Sequence, residues 1–381
     1  MRLKTLLAAW LTAGIFLGTS PAGAENGVTP KQILVGQSIT LQGGKNDYGV
    51  AVQEGIAAYL NAVNSQGGVG GRLVVVKTLD DDNSSATAET NARALVEQHK
   101  VFMLFGSIEG GPSTAVMKAA VDLNVPFLGP MAGAPTLRRP HQPLVFPVRA
   151  EHRDEFKMLM DYTKSTGGNR VAFVRSDSGA GLQHLENVKL LCKELGLELV
   201  LDLPFKSDIN DAQIEAMARQ IGNAKPHLVF NHGGIGVYER LIRKARAQGV
   251  QTNFSGVNSG STQLAKHLGD LARGMVFSQV LPSPWERKTA LVREYQERFA
   301  IYKPEKDFSY GSLEGYLTAK VLVAALRLAG PNPTRESLVK GLDAAGNIDV
   351  NGLQIRYQEG NHAGMSLVDL SIVTRDGKFL H

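Results

Sequence analysis

Four places in this 381-residue chain carry residues whose types and spacing could do chemistry. His152 and Glu155 form an HxxE pair, a spacing that sets both on one face of a helix. His232 stands in the loop Asn231-His232-Gly233-Gly234. Asp80, Asp81 and Asp82 are consecutive and adjoin Asn83 and Ser84. Glu109 is the one acid in the loop SIEGGPS. An isolated HxxE is weak evidence for a metal or an acid–base pair and reads more simply as a solvated helix face. His232 either touches a ligand or serves as a structural, merely polar residue. The three acids could hold a hard cation, but at a helix start they equally complement the helix dipole and face solvent. The chain contains no GxSxG, HExxH, CxxC or GxxxxGK[ST] sequence. The loop GGVGGR, Gly67 to Arg72, joins a helix to a strand and lacks the GK[ST] ending, so it reads as a turn. The chain is therefore expected not to be an enzyme, and to use no cofactor and no metal.

The stretch that must position such residues is Val101 to Ala134. Val101 to Phe105 is a short apolar run suited to a buried strand. It breaks at Gly106, the loop SIEGGPS follows, and Ser113 to Leu123 has helical spacing. Pro126 to Leu128 reads as a second strand, closed by GPMAGA. In a parallel sheet both glycine-rich loops fall at the carboxyl ends of the strands, where open α/β sheets bind ligands.

Strand and helix alternate from Gln32 onward, restart after the proline-rich connector Pro135 to Pro147, and continue to Gly256. This predicts two α/β units with parallel sheets covered by helices on both faces. The second unit again has small, polar strand-end loops, Asn231 to Gly234 and Val257 to Gly260. The last third carries the long helices Thr289–Ile301 and Ser312–Leu328, a helix from Thr334, and strands at Leu353–Arg356 and Met365–Val373. These strands are too few for a third domain and are expected to complete the first two units, so the chain crosses between them more than once.

At the N-terminus, Arg2 and Lys4 precede the apolar run Leu6 to Leu17 and the A-x-A-type site Ala22-Gly23-Ala24. This is the pattern of a cleaved signal peptide, and the apolar run is too short to span a bilayer as an anchor. Processing leaves 357 residues, enough for two domains. It also leaves 39 basic against 36 acidic residues, a net charge of +3 that argues against a nucleic-acid partner. Cys192 is the single cysteine and lies on an apolar helical stripe with Val188, Leu191 and Leu195, which favours packing over a reactive thiol.

Several stretches resemble the periplasmic substrate-binding proteins of branched-chain amino-acid type ABC transporters, the leucine/isoleucine/valine-binding family. They are ILVGQSITLQGG with the nearby DYG, EGIAAYLNAVNSQGGVGGR, TLDDDNSSATAETNARALVEQHKVFMLFG, VPFLGPMAGAPTLRR and FSYGSLEGYLTAKVLVAALRLAG. The resemblance implies a type I periplasmic binding protein fold: two Rossmann-like lobes, three hinge crossings and a ligand in the cleft. It sets residues 25–149 plus 282–367 in lobe 1, 150–281 plus 368–381 in lobe 2, and crossings near Arg149, Leu281 and Val368. It implies a periplasmic, monomeric protein that hands a small polar ligand, an amino acid or a relative of one, to a membrane permease.

By position, the hydroxyl that holds the ligand carboxylate in the family is replaced by Gly110, and Met131, Ala132 and Gly133 follow the fourth strand. Tyr48 takes the place of an aromatic before the first long helix. Ser178 and Gly234 stand where the second lobe often supplies aromatics, and Asn258 where an acid receives the ammonium. Gly111, Ser107, Glu109 and Phe308 complete the expected ligand site. Glu109 either substitutes as the ammonium partner or points to solvent. These departures predict weak binding of leucine, isoleucine and valine, and preference for a carboxylate or amide without free ammonium, or for a bulkier ligand. An exported sensor of the same fold is the alternative role. A sugar-responsive repressor would need a DNA-binding helix pair where the signal peptide lies.

Overall fold

A computed structural model describes residues 25–206 and 208–381. The expected signal peptide lies outside the described residues. Among the described residues no helix is long and apolar enough to cross a membrane.

The first lobe opens with β1 (Gln32–Ile39), α1 (Asp47–Ser65), β2 (Leu73–Asp80), α2 (Ser85–Glu97), β3 (Leu104–Phe105), α3 (Gly110–Asp122), β4 (Phe127–Leu128) and β5 (Val145–Phe146). Its sheet runs β2-β1-β3-β4-β5, every pair parallel. β3 and β4 are shorter than the apolar runs suggest. Each is followed at once by a glycine at positive φ, Gly106 at +59° and Gly129 at +73°, which turns the chain into a loop. The connector expected between the lobes also donates β5 to this sheet.

The second lobe holds α4 (His152–Ser165), β6 (Arg170–Ser176), α5 (Gly179–Leu195), β7 (Glu198–Phe205), α6 (Asp211–Ala224), β8 (Leu228–His232), α7 (Ile235–Ala247), β9 (Asn253–Gly256), α8 (Ser261–Leu268) and β10 (Val276–Gln279). Capping is written into these sequences: Asn210 and Gln213 form a reciprocal box at the start of α6. Strands β7-β6-β8-β9-β10 are parallel.

The chain then returns to the first lobe. α9 (Ala290–Tyr302), α10 (Tyr310–Leu328) and α11 (Arg335–Ala345) follow, and α10 lies along α1. The two helix backbones approach so closely that a Cβ on Gly55 would sit 1.8 Å from the Ser312 carbonyl, and one on Gly315 2.0 Å from that of Val52. β11 (Asn347–Val350), β12 (Leu353–Gln358) and β13 (Asn361–Gly364) form a separate antiparallel sheet. So Leu353–Arg356 does not join a main sheet. The small sheet is tied to β5 instead, through His362 Nδ1 to the Val145 carbonyl at 2.8 Å and Tyr357 Oη to the Pro147 carbonyl at 2.9 Å. β14 (Asp369–Val373) and β15 (Phe379–Leu380) extend the second sheet antiparallel, making its edge mixed rather than wholly parallel.

Sheet membership therefore puts passages between the lobes after β5, after β10 and after β13. Cys192 is buried beside Leu191 and Val188, and burial pushes its thiol up to about 11. Asp80 and Asp81 are not a solvated helix end. Asp80 accepts from the N–H groups of Leu41, Gln42 and Gly43, and buried Asp81 accepts from Thr40 Oγ1. They hold the loop after β1. Gly67 to Arg72 forms the expected turn, closed by Val69 N–H to the Arg72 carbonyl.

Candidate functional site

Loops at the carboxyl ends of the strands meet across the gap between the lobes. In lobe 1, Glu109 adopts φ +62° and precedes α3 without capping it. The first N–H groups of α3 are thus left for another acceptor. In lobe 2, Gly233 and Gly234 take φ +76° and +60°, and Gly234 precedes α7, again with no side-chain cap. A Cβ on Gly234 would fall 2.3 Å from the Phe205 ring, so this turn requires glycine twice over. Asn231 Nδ2 donates to the Gly233 carbonyl at 2.9 Å and stiffens the loop.

These ends frame a narrow cavity between the lobes. Lobe 1 lines it with Tyr48, Glu109, Gly110, Met131 and Ala132. Lobe 2 supplies His152, Asn231, His232, Gly233, Gly234, Ile235, Val257 and Ser259. The lobes are close here: a Cβ on Gly110 would lie 3.9 Å from both Ala180 Cβ and His232 Cε1.

Behind the cavity a buried polar network joins the lobes. Arg149, 1 % exposed, pairs with Glu155 Oε2 at 2.5 Å, donates to Ser259 Oγ at 2.6 Å and lies 3.6 Å from Glu314 Oε1. Tyr48 Oη and Asn258 Nδ2 both donate to Glu314 Oε2, at 2.9 and 3.0 Å. Glu155 Oε1 accepts the Asn258 N–H at 2.8 Å, and His152 Nδ1 lies 2.7 Å from Glu155 Oε2. Burial would lower Arg149, but Glu155 and Glu314 outweigh it and hold the guanidinium above its usual range. Burial raises Glu155 and Glu314 against the pull of Arg149. It also raises Glu109, aided by repulsion from Asp81.

His152, His184 and His232 cluster with ring centroids 3.7 to 5.3 Å apart. All three are pushed well below the ordinary histidine range, first by burial. Arg149 adds to this for His152, and histidine neighbours add to it for the other two. They are neutral at neutral pH. Both nitrogens of His184 and Nδ1 of His232 are buried without a partner. Among the described residues no group of three or more His, Cys, Asp or Glu side chains is arranged to hold a metal.

Six of the expected residues line the cavity: Tyr48, Glu109, Gly110, Met131, Ala132 and Gly234. The others do not. Ser107 is buried beneath its loop, bonded to Ser113 Oγ at 2.7 Å. The Cα of Gly111 faces Ser85. Gly133 lies against the His152 ring and accepts the His152 N–H. Ser178 spends its hydroxyl capping α5 through Gly181 N–H. Asn258 turns into the network behind the cavity. Phe308 packs on Tyr295 and Phe299 within lobe 1.

The pair His152 and Glu155, expected on a solvated face, is buried, 4 % and 0 % exposed. An Arg three residues before HxxE, able to neutralise it, was the available signal. The NHGG loop, in which the role of His232 was open, brings His232 and Gly233 to the cavity lining. The strand-end loop Val257 to Gly260 was visible in the sequence, but nothing local singled out Val257 and Ser259 within it as lining residues.

The family model described as periplasmic binding protein matches residues 32–378. The chain is 23 % identical over 342 residues to Leu/Ile/Val-binding protein homolog 1 of Brucella abortus, covering 87 % of this chain and 86 % of that protein. Among solved structures it is similar to a possible leucine/isoleucine/valine-binding protein from Rhodopirellula baltica, with TM-score 0.84, 23 % identity and coverage of 94 % and 98 % of the two chains. Two others each have TM-score 0.80, 18 % identity and coverage of 92 % of this chain and 95 % of theirs. One is an R. palustris ABC transporter solute-binding protein in complex with benzoate, the other a Thermus thermophilus branched-chain amino-acid ABC transporter with bound valine. The chain belongs to the periplasmic binding protein family.

Proposed function

We propose that this protein is the extracytoplasmic solute receptor of an ABC transporter, exported by residues 1–24, and that it captures a small carboxylate between its lobes for a membrane permease. The observation that carries this reading is the pair of helix N-termini without side-chain caps, α3 from lobe 1 and α7 from lobe 2, opening on one cavity. Helix N-termini attract anions through free N–H groups and the helix dipole. A carboxylate spanning both favours the closed form, since a ligand shifts a conformational equilibrium by its differential affinity for the two states. Valine and benzoate, held by the two solved relatives, have a carboxylate in common. The working unit is a monomer, with lobe 1 at 25–149 plus 282–367 and lobe 2 at 150–281 plus 368–381.

The test is calorimetry and small-angle scattering on protein unfolded and refolded to strip retained ligand. A panel of amino acids, hydroxy acids, plain acids and the corresponding amides separates the chemistries. Acids are expected to bind and contract the particle, and to stabilise the fold by about 2.7 kcal/mol at a hundredfold excess over Kd. Binding of neutral amides as tight as that of acids would refute the carboxylate reading.

A further inference from the structure

We propose that His152 is a specificity-determining residue of this cleft: its tautomer is fixed so that Nε2 presents a lone pair to the ligand, and with Glu109 it selects carboxylates bearing a hydrogen-bond donor beside the acid group. The inference rests on the carboxylate reading above and adds the second group of the ligand.

Glu155 fixes the tautomer. Its Oε2 is paired with Arg149 and its Oε1 accepts the Asn258 N–H, with Ser278 Oγ at 3.4 Å. A carboxylate taking donors at both oxygens and paired with a buried guanidinium is ionised at neutral pH. An ionised carboxylate only accepts, so at 2.7 Å the proton between it and His152 belongs to Nδ1. The ring is neutral. Nε2 is therefore bare, and a bare imidazole nitrogen accepts hydrogen bonds. His152 lines the cavity, and among the described residues its ring is bonded through Nδ1 and has no partner at Nε2. The ring is held in place by Gly133, where a Cβ would come within 2.7 Å of His152 Cγ, and by the His152 N–H to Gly133 carbonyl bond at 3.0 Å.

Glu109 is a second acceptor in the cavity, and among the described residues its carboxylate has no cationic or hydrogen-bonding partner. The buried arginine Arg149 is taken up by Glu155, Ser259 and Glu314. The cavity thus offers helix N–H groups for an acid, and acceptors at His152 and Glu109 for a donor. A plain acid would leave Nε2 and Glu109 facing apolar ligand surface, and a buried acceptor left unmet opposes binding.

Valine, 2-hydroxyisovalerate and isovalerate share one carbon skeleton and carry ammonium, hydroxyl or hydrogen at C2. On refolded protein the two donor-bearing acids are expected to bind at least about tenfold tighter than isovalerate. In His152→Asn the side-chain amide can still donate to Glu155 but offers no acceptor at the Nε2 position, and the ratio between hydroxy acid and isovalerate is expected to fall towards one. Glu109→Gln should weaken valine more than 2-hydroxyisovalerate. Long-range ¹H–¹⁵N correlation on histidine-labelled wild-type protein at pH 7 should show His152 protonated at Nδ1 and bare at Nε2, a readout that stands even if the variant fails to fold. The reverse tautomer, equal binding of the three acids, or an unchanged ratio in His152→Asn would overturn the proposal alone. Binding of none of the acids would overturn the carboxylate reading and the proposal with it.

Discussion

The two walls of the cleft are built on opposite terms. The lobe-1 wall is mostly backbone and aliphatic surface: Gly110, Met131 and Ala132, with Glu109 as its one uncompensated charge. The lobe-2 wall carries two imidazoles, His152 and His232, and is backed by the Arg149–Glu155 pair and by His184. One wall takes its character from the local chain, the other from groups brought together from α4, α5, β8 and the loop after β9. If that is right, damage to the second wall should spread through the fold, and damage to the first should stay local.

The largest expected effect is at Arg149. Arg149→Leu leaves Glu155 and Glu314 buried without their cation, both fully enclosed. Breaking a buried pair by removing one partner costs about 3–5 kcal/mol. Urea unfolding followed by circular dichroism measures it. A loss below about 1 kcal/mol would mean that the network is hydrated in solution and the contrast between the walls is weaker than drawn.

The histidine cluster gives the second effect. Each of His152, His184 and His232 has its folded-state pKa well below the ordinary value near 6.5. The unfolded chain therefore binds more protons than the folded one just below pH 6.5. Stability contributed by these groups is present above pH 6.5 and is lost as pH falls below it. The slope reaches up to about 1.4 kcal/mol per pH unit for each group. The raised Glu109, Glu155 and Glu314 act in the opposite sense above about pH 4.5, so the histidine loss shows most cleanly between pH 6.5 and 5.5. Thermal unfolding across that range should show a falling midpoint that flattens in His184→Phe.

The same contrast explains what the sequence could reveal. Tyr48, Glu109, Gly110, Met131 and Ala132 line the lobe-1 wall where the family resemblance put them, beside strand ends marked by Gly106 and Gly129, whereas Ser107, Gly111, Gly133 and Phe308, expected with them, are taken up outside it. The two lobes were legible from the alternation of strands and helices. In lobe 2 the strand-end loops were visible, but not which side chains face inward. Ser178 was lost to the cap of α5 and Asn258 to Glu314, a partner 56 residues away. Burial of His152 and Glu155 depends on Arg149 closing over them, which periodicity in α4 alone does not encode. Strands were expected at β12 and β14, but their antiparallel pairing and the strands β11, β13 and β15 escaped: strands of 2 to 4 residues carry little periodic signal.

Third comes a pair of lobe-1 glycines, Gly133 packed against His152 of the second wall and Gly110 in the first wall. Gly133→Ala drives a Cβ to 2.4 Å from the His152 nitrogen, whereas Gly110→Ala meets ordinary contacts at 3.7 and 3.9 Å. The first is expected to cost about 1–3 kcal/mol of stability by overpacking. The second should leave unfolding nearly unchanged and weaken ligand binding, because it fills the cavity at the start of α3. Equal stability losses in the two variants would erase the distinction between the walls.

The smallest effect lies at the rim, where the lobes touch through exposed charge. His267 of α8 stands between Asp47 of α1, at 3.2 Å, and Glu239 of α7, at 3.4 Å. Arg243 also reaches Glu239, at 3.0 Å, and donates to the His267 carbonyl. Asp47 is the only one of these groups from lobe 1, so its contact exists only while the cleft is shut. The groups are roughly half exposed, and such pairs contribute about 0.2–1 kcal/mol. Asp47→Asn is therefore expected to weaken ligand affinity by at most about fivefold at low salt and by less at 1 M salt, where the Debye length shrinks to about 3 Å. Global unfolding should not change, since the lobes keep their own cores. Calorimetric titration of the same ligand at two ionic strengths measures it. A loss of global stability accompanying the loss of affinity would place the origin in the first turn of α1 rather than in lobe closure, because Asp47 is also the acid of that first turn.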